Sequence, residues 1–139
     1  MGFRLVTNVG MFTRDPKVMA ELARGFLRGV VANNRLYIRL RKLKGRPLPL
    51  LYKSGIMYRR EPWAGRFEEF ADIPTVLKRK WGDCDDLSAW RVAELQEQGE
   101  SADFRIYWRP RKPGKPITMH VEVRRGDGSI EDPSRLLGL

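Results

Sequence analysis

Residues 80–90 read KWGDCDDLSAW, and this stretch holds the chain's one cysteine, Cys84, directly after an aspartate with the chemistry of a helix N-cap. Asp86 stands where a capping box carries its acidic partner. Leu87, Trp90, Val92, Leu95 and Ala93 or Glu94 then supply a helical apolar face that ends before Gly99. A helix starting at Asp83 is predicted, with Cys84 in its first turn. There the free backbone N–H groups and the positive end of the helix dipole favour a thiolate and can hold an oxyanion. Asp83, Asp85 and Asp86 act against this, because nearby negative charge favours the protonated thiol. The dipole's about 0.3–1 kcal/mol does not outweigh several carboxylates. A cation is therefore expected beside the sulfur, with the three acids turned away from it as caps and helix-start charges. A buried, inert cysteine is the competing reading; the helix-start position and the flanking acids favour a reactive thiol.

Downstream, Ala102, Phe104, Ile106 and Trp108 alternate with mostly polar residues. Ile117, Met119, Val121 and Val123 do the same after the basic loop RPRKPGKP at 109–116. Two antiparallel strands joined by that loop are the economical reading, with a third short strand at 129–131 after the turn GDG. A period of two puts Thr118, His120 and Glu122 on the face opposite the apolar set. That discounts a core histidine and leaves an exposed histidine without a role as the bland alternative. If 126–128 form the loop and Arg125 pairs with Ser129, Glu122 faces Asp132. Asp132 then lies one diagonal step from His120, about 7–8 Å away at the backbone. A two-residue turn at 127–128 reverses the parity and points Asp132 away.

Upstream, Asp15-Pro16 is a cap-then-proline start. Val18, Met19, Leu22, Phe26, Val30, Leu36, Tyr37 and Leu40 recur at helical spacing to about residue 43. Such a helix is roughly 45 Å long at about 1.5 Å per residue, with Gly25, Gly29 and Asn33-Asn34 as the positions where it would break or bend. Lys17, Arg24, Arg28, Arg35, Arg39, Arg41, Lys42 and Lys44 line its other face, readable as a solvated surface or a nucleic-acid stripe. The connector GRPLP at 45–49 cannot continue the helix. Residues 50–63, LLYKSGIMYRREPW, read as extended, with Tyr58 and Trp63 as cleft walls or core residues. Asp72 or Ile73 caps another short helix with Pro74 in its first turn. Residues 1–13 show no clear period.

At 139 residues the chain fits a single compact domain: an N-terminal arm, long helix and Pro-rich connector over 1–50, then a catalytic core over 51–139. One cysteine forms no internal disulfide, and no apolar run approaches the ~18 residues of a membrane span or resembles a signal peptide. A reducing, cytoplasmic setting without membrane partners is expected. A net charge of +10 and a pI near 10.3 attract anionic surfaces, nucleic acid first among them, without naming a partner. A metal site built from Cys84, His120 and Asp132 with Asp83, Asp85 and Asp86 ranks low, since structural zinc uses closely spaced Cys or His pairs and this chain has one of each. No cofactor is expected.

Three stretches together, GDCDDLSAW (82–90), MHVEV (119–123) and GSIEDPS (128–134), resemble the nucleophile motif, histidine strand and aspartate strand of the transglutaminase-like branch of the papain-like cysteine enzymes. The resemblance spans about 72–137. It implies an α+β fold whose nucleophile helix packs on an antiparallel sheet, here preceded by the long basic helix. Cys84 would be the nucleophile, His120 the general base and later acid, and Asp132 the orienting carboxylate. A side-chain donor from Tyr58, Trp63 or Trp81 would join the Cys84 N–H in the oxyanion hole. The implied reaction is thiol-dependent acyl transfer on a protein or peptide amide, with water giving a peptidase or amidase and an amine giving crosslinking. Small proteins of this type are encoded by bacteria and tailed phages, which suggests a bacterial host cytoplasm or a phage particle. The rival reading is a catalytically silent module of the same fold, a virion or nucleoprotein component that meets its assembly partners through the basic helix.

Overall fold

Asp15 accepts a hydrogen bond from the Lys17 N–H at 2.8 Å and Pro16 fills the first turn, which starts helix α1, Pro16–Leu43. The computed structural model describes residues 15–62, 69–109, 113–114 and 118–139. All 28 residues of α1 run without a break through Gly25, Gly29 and Asn33-Asn34. Each helical glycine costs about 1 kcal/mol against alanine, and burial of Leu27 and Val31 on the inner face outweighs it. The asparagines act as tethers. Asn34 is fully buried and accepts from the Ile73 N–H at 3.0 Å, while Asn33 donates to Asp72 at 3.1 Å. α1 is thereby fixed to the start of α2, Ile73–Arg79, which Asp72 caps through the Thr75 N–H.

Residues 50–62 are less extended than their composition suggests. A 3-10 turn spans Leu51–Lys53, followed by the two-residue strand β1, Met57–Tyr58. β1 pairs in parallel with β2, Trp81–Gly82, in the register Met57↔Trp81 and Tyr58↔Gly82. Between α2 and β2 stands Lys80, a non-glycine residue in the left-handed region at φ 71°. Its backbone turns the chain sharply into the cysteine stretch.

Helix α3 is Cys84–Glu97, and its capping box forms as the sequence predicts: Asp83 accepts from the Asp86 N–H and Asp86 from the Asp83 N–H. A second sheet of order β3-β4-β5 contains β3, Asp103–Trp108, β4, Met119–Arg124, and β5, Ile130–Glu131, all antiparallel. A short helix α4, Pro133–Leu136, closes the described chain. The architecture is α+β, with a long N-terminal helix and a small antiparallel sheet. Ile117 lies outside the described residues.

α3 is buried on almost every side because it belongs to two cores. Ala89, Val92, Ala93 and Leu95 meet Leu27 and Val31 of α1 and Phe104, Val121 and Val123 of the sheet. Leu87 and Trp90 turn the other way, to Leu51, Ile56, Ile73 and Val76. Among the described residues, no helix is long and apolar enough to cross a membrane.

Candidate active site

The second hairpin decides where Asp132 points. The Arg125 N–H donates to the Ser129 carbonyl at 2.8 Å and the Gly128 N–H to the Arg125 carbonyl at 2.9 Å, so 126–128 form the loop. Val123↔Glu131 and Arg124↔Ile130 continue that register, which brings Asp132 to the face of His120. The imidazole Nε2 and Asp132 Oδ2 are 2.9 Å apart. The other oxygen, Oδ1, accepts from the Ser134 N–H at 3.1 Å and caps α4. One carboxylate thus holds a ring and starts a helix, and each task fixes it for the other.

His120 is 2% exposed, so its face of the sheet is not the solvated one that the alternation suggests. The Tyr107 ring meets it edge-on at 5.5 Å, and Glu122 Oε1 lies 3.8 Å from Nε2. Glu122 is in turn held by Arg105 at 3.1 Å and the Tyr107 hydroxyl at 3.2 Å. A polar face can be buried in this way because its groups satisfy one another. The second ring nitrogen, Nδ1, lies 2.9 Å from Arg109 Nη2. A guanidinium only donates, so Nδ1 accepts, and Nε2 carries the hydrogen and donates it in a hydrogen bond to Asp132 Oδ2.

Cys84, the first residue of α3, is half-buried and packs against the core that includes Val121. Ser88 lies one turn further along the same helix face and donates its hydroxyl to the Val121 carbonyl at 3.1 Å. The bond ties the start of α3 to the strand position beside His120. On the other side, Tyr58 lies opposite Gly82, two residues before the cysteine. Burial raises the Tyr58 pKa, and negative charge at Cys84 and Asp83 raises it further, while Arg109 and Arg60 pull it down. Tyr58, Cys84 and Arg109 therefore share one electrostatic neighbourhood. The approach is close at Gly82 as well: a Cβ there would lie 3.1 Å from Leu87 Cδ2 and 3.2 Å from Asp86 Cβ. Trp81 points to the opposite side of the ribbon from Tyr58, and its ring carries the Arg79 guanidinium at 3.8 Å and that of Arg59 at 5.3 Å. Trp63, the remaining oxyanion candidate, lies outside the described residues.

The acids around Cys84 divide their work. Asp83 is the cap. Asp86 accepts from the Ala71 N–H at 2.7 Å and from Arg79, which also reaches Glu69 at 3.1 Å and the Trp81 carbonyl at 3.0 Å. Burial and the Asp83 charge push the Asp86 pKa up, and those partners pull it down. Asp85 is not an exposed helix-start charge: it is 1% exposed, and among the described residues neither oxygen finds a hydrogen-bond partner of good geometry. Burial first, then the Asp83 carboxylate, hold its pKa well above the usual range.

Two sets could hold a cation among the described residues. Glu61, Asp83, Asp85 and Asp86 each bring one oxygen within 4.8 Å of the others, an all-oxygen set suited to a hard divalent ion. His120, Glu122 and Asp132 form the second set, though there Nε2 already donates to Asp132. The sequence reading missed Arg109, Ser88 and the burial of Asp85. Arg109 stood in plain view in RPRKPGKP, but a run of basic residues carries no mark of which one turns inward. Comparison with protein-family models, curated proteins and solved structures finds no match to this chain.

Proposed function

We propose that the protein is a transglutaminase-like cysteine enzyme of the papain-like type that cleaves an amide through Cys84, His120 and Asp132. The observation that carries the reading is the Asp132–His120 hydrogen bond, which leaves Nδ1 as the ring atom for proton transfer. Nδ1 takes the thiol proton as Sγ attacks the amide carbonyl carbon and the C–S bond forms. The same nitrogen gives that proton to the leaving amine as the C–N bond breaks. Water then resolves the thioester: its proton goes to Nδ1 as its oxygen bonds to carbon, and Nδ1 returns that proton to sulfur as the C–S bond breaks, which restores the thiol and the neutral ring. The Cys84 N–H at the α3 terminus supplies one oxyanion donor, and Tyr58 is the side chain best situated for the second.

Iodoacetate labelling of Cys84 across pH tests this. Wild-type protein should react below about pH 7, where an unassisted thiol with a pKa near 8.5 is slow. His120→Gln should return the profile to that of an ordinary thiol. Equal profiles for the two proteins would remove the base from the mechanism.

A further inference from the structure

Arg109 extends the β3–β4 ladder by one step: its N–H donates to the Thr118 carbonyl at 2.8 Å, beyond the pair Trp108↔Met119. It therefore shares a sheet face with Arg105, Tyr107, His120 and Glu122. The two arginines of that face are treated differently. Arg105 has Glu122 at 3.1 Å, whereas among the described residues no carboxylate stands within ion-pairing distance of Arg109. Its guanidinium donates instead to a neutral imidazole nitrogen.

That choice has a chemical consequence. Asp132 occupies Nε2 and Arg109 occupies Nδ1, so neither ring nitrogen can accept a proton from a thiol. Protonating Nδ1 would also set two cations against each other. A carboxylate is a far better partner for the guanidinium than a neutral ring, because it accepts two charge-assisted bonds in parallel. We propose that Arg109 is the receptor for a carboxylate on the substrate, and that until one arrives it holds Nδ1 of His120 closed. The substrate class is then an amide with a carboxylate next to the reacting carbonyl, on an acidic side chain or at a chain terminus. Binding draws the guanidinium off the ring and frees the base at the moment the acyl group is in place. This rests on the triad reading above and adds its selectivity.

The test measures Cys84 alkylation by neutral iodoacetamide and anionic iodoacetate at constant ionic strength. Acetate in place of chloride should raise the wild-type iodoacetamide rate by about tenfold, the scale of one charge-assisted hydrogen bond. Arg109→Gln should react quickly without acetate, ignore its addition, and lose the preference for iodoacetate. N-acetylglycine and N-acetylaspartate amide, as additives, separate a terminal carboxylate from a side-chain one. The proposal is overturned if acetate leaves the wild-type rate unchanged, an outcome that needs no variant to fold. It is equally overturned if Arg109→Gln keeps the wild-type ratio while His120→Gln slows iodoacetate; the triad then stands without its latch. If His120→Gln leaves the iodoacetate rate unchanged, triad and latch fall together.

Discussion

Asp85→Asn should flatten the dependence of stability on pH. Asp85 is 1% exposed, neither of its oxygens has a hydrogen-bond partner among the described residues, and its pKa is raised by burial and by Asp83. An unfolded chain releases this proton near pH 3.9, whereas the folded chain keeps it to higher pH. The contribution to stability is therefore full below about pH 4 and is lost as pH climbs to the folded pKa, by up to about 1.4 kcal/mol per pH unit. Asparagine keeps the shape of the neutral acid and has no proton to release over this range, so the variant lacks this loss. Glu97, Glu100, Asp103, Asp127 and Glu131, whose pKa values are lowered mainly through arginine partners or local hydrogen bonds, act with the opposite sign. Subtracting the variant's curve from the wild type's removes them. The assay is urea unfolding from pH 4 to 8 with EDTA present, so that no cation at Glu61, Asp83, Asp85 and Asp86 offsets the charge. The variant should gain on the wild type as pH rises. A difference that stays constant with pH, or one that turns against the variant at pH 8, refutes the reasoning.

Ser88→Ala removes the bond from α3 to the Val121 carbonyl; unfolding should show a loss of about 1 kcal/mol, and Cys84 alkylation should slow as its helix loses its anchor beside His120. Lys80→Gly relieves a left-handed non-glycine residue at φ 71° and should stabilise the fold by about 1 kcal/mol in the same assay, with no change in the thiol's pH profile.

What the sequence made legible was local or periodic. The capping box at Asp83 needs only residues within one turn, and counting residues across the GDG loop left two registers for Asp132, of which the three-residue loop is the one that forms. The span of α1 was legible from its apolar spacing, but the role of Asn34 was not: it reads as a helix breaker until the Ile73 N–H, distant in sequence, supplies the partner that makes its burial favourable. His120 was placed on the face that Asp132 reaches, but its burial was not legible. Alternation tells which side a residue takes and says nothing of what covers it. Asp85 was misread for a related reason: residues 83–86 look like a helix start facing water, and only the packing of α3 between two cores turns one of these acids inward.

The same distinction governs the chain's charge. A net +10 suggests a surface for polyanions, yet much of the basic face of α1 is already committed. Arg28 pairs with Asp103 at 2.7 Å, and Arg35 and Arg39 share Glu97 at 2.8 and 2.5 Å. Arg24 bonds the Phe104 carbonyl at 2.6 Å, and Arg41 the Arg46 carbonyl at 2.8 Å. The contacts of Arg24, Arg28, Arg35 and Arg39 clamp α1 to α3 and β3, the elements that carry Cys84 and lead to Arg109, while Arg41 ties its C-terminal end to the connector. A phosphate approaching that face must break the bonds or share the donors, whereas a carboxylate approaching Arg109 need only displace a neutral ring. Net charge draws anions towards the molecule as a whole, but the guanidinium whose recruitment would free a ring nitrogen lies at the proposed catalytic base.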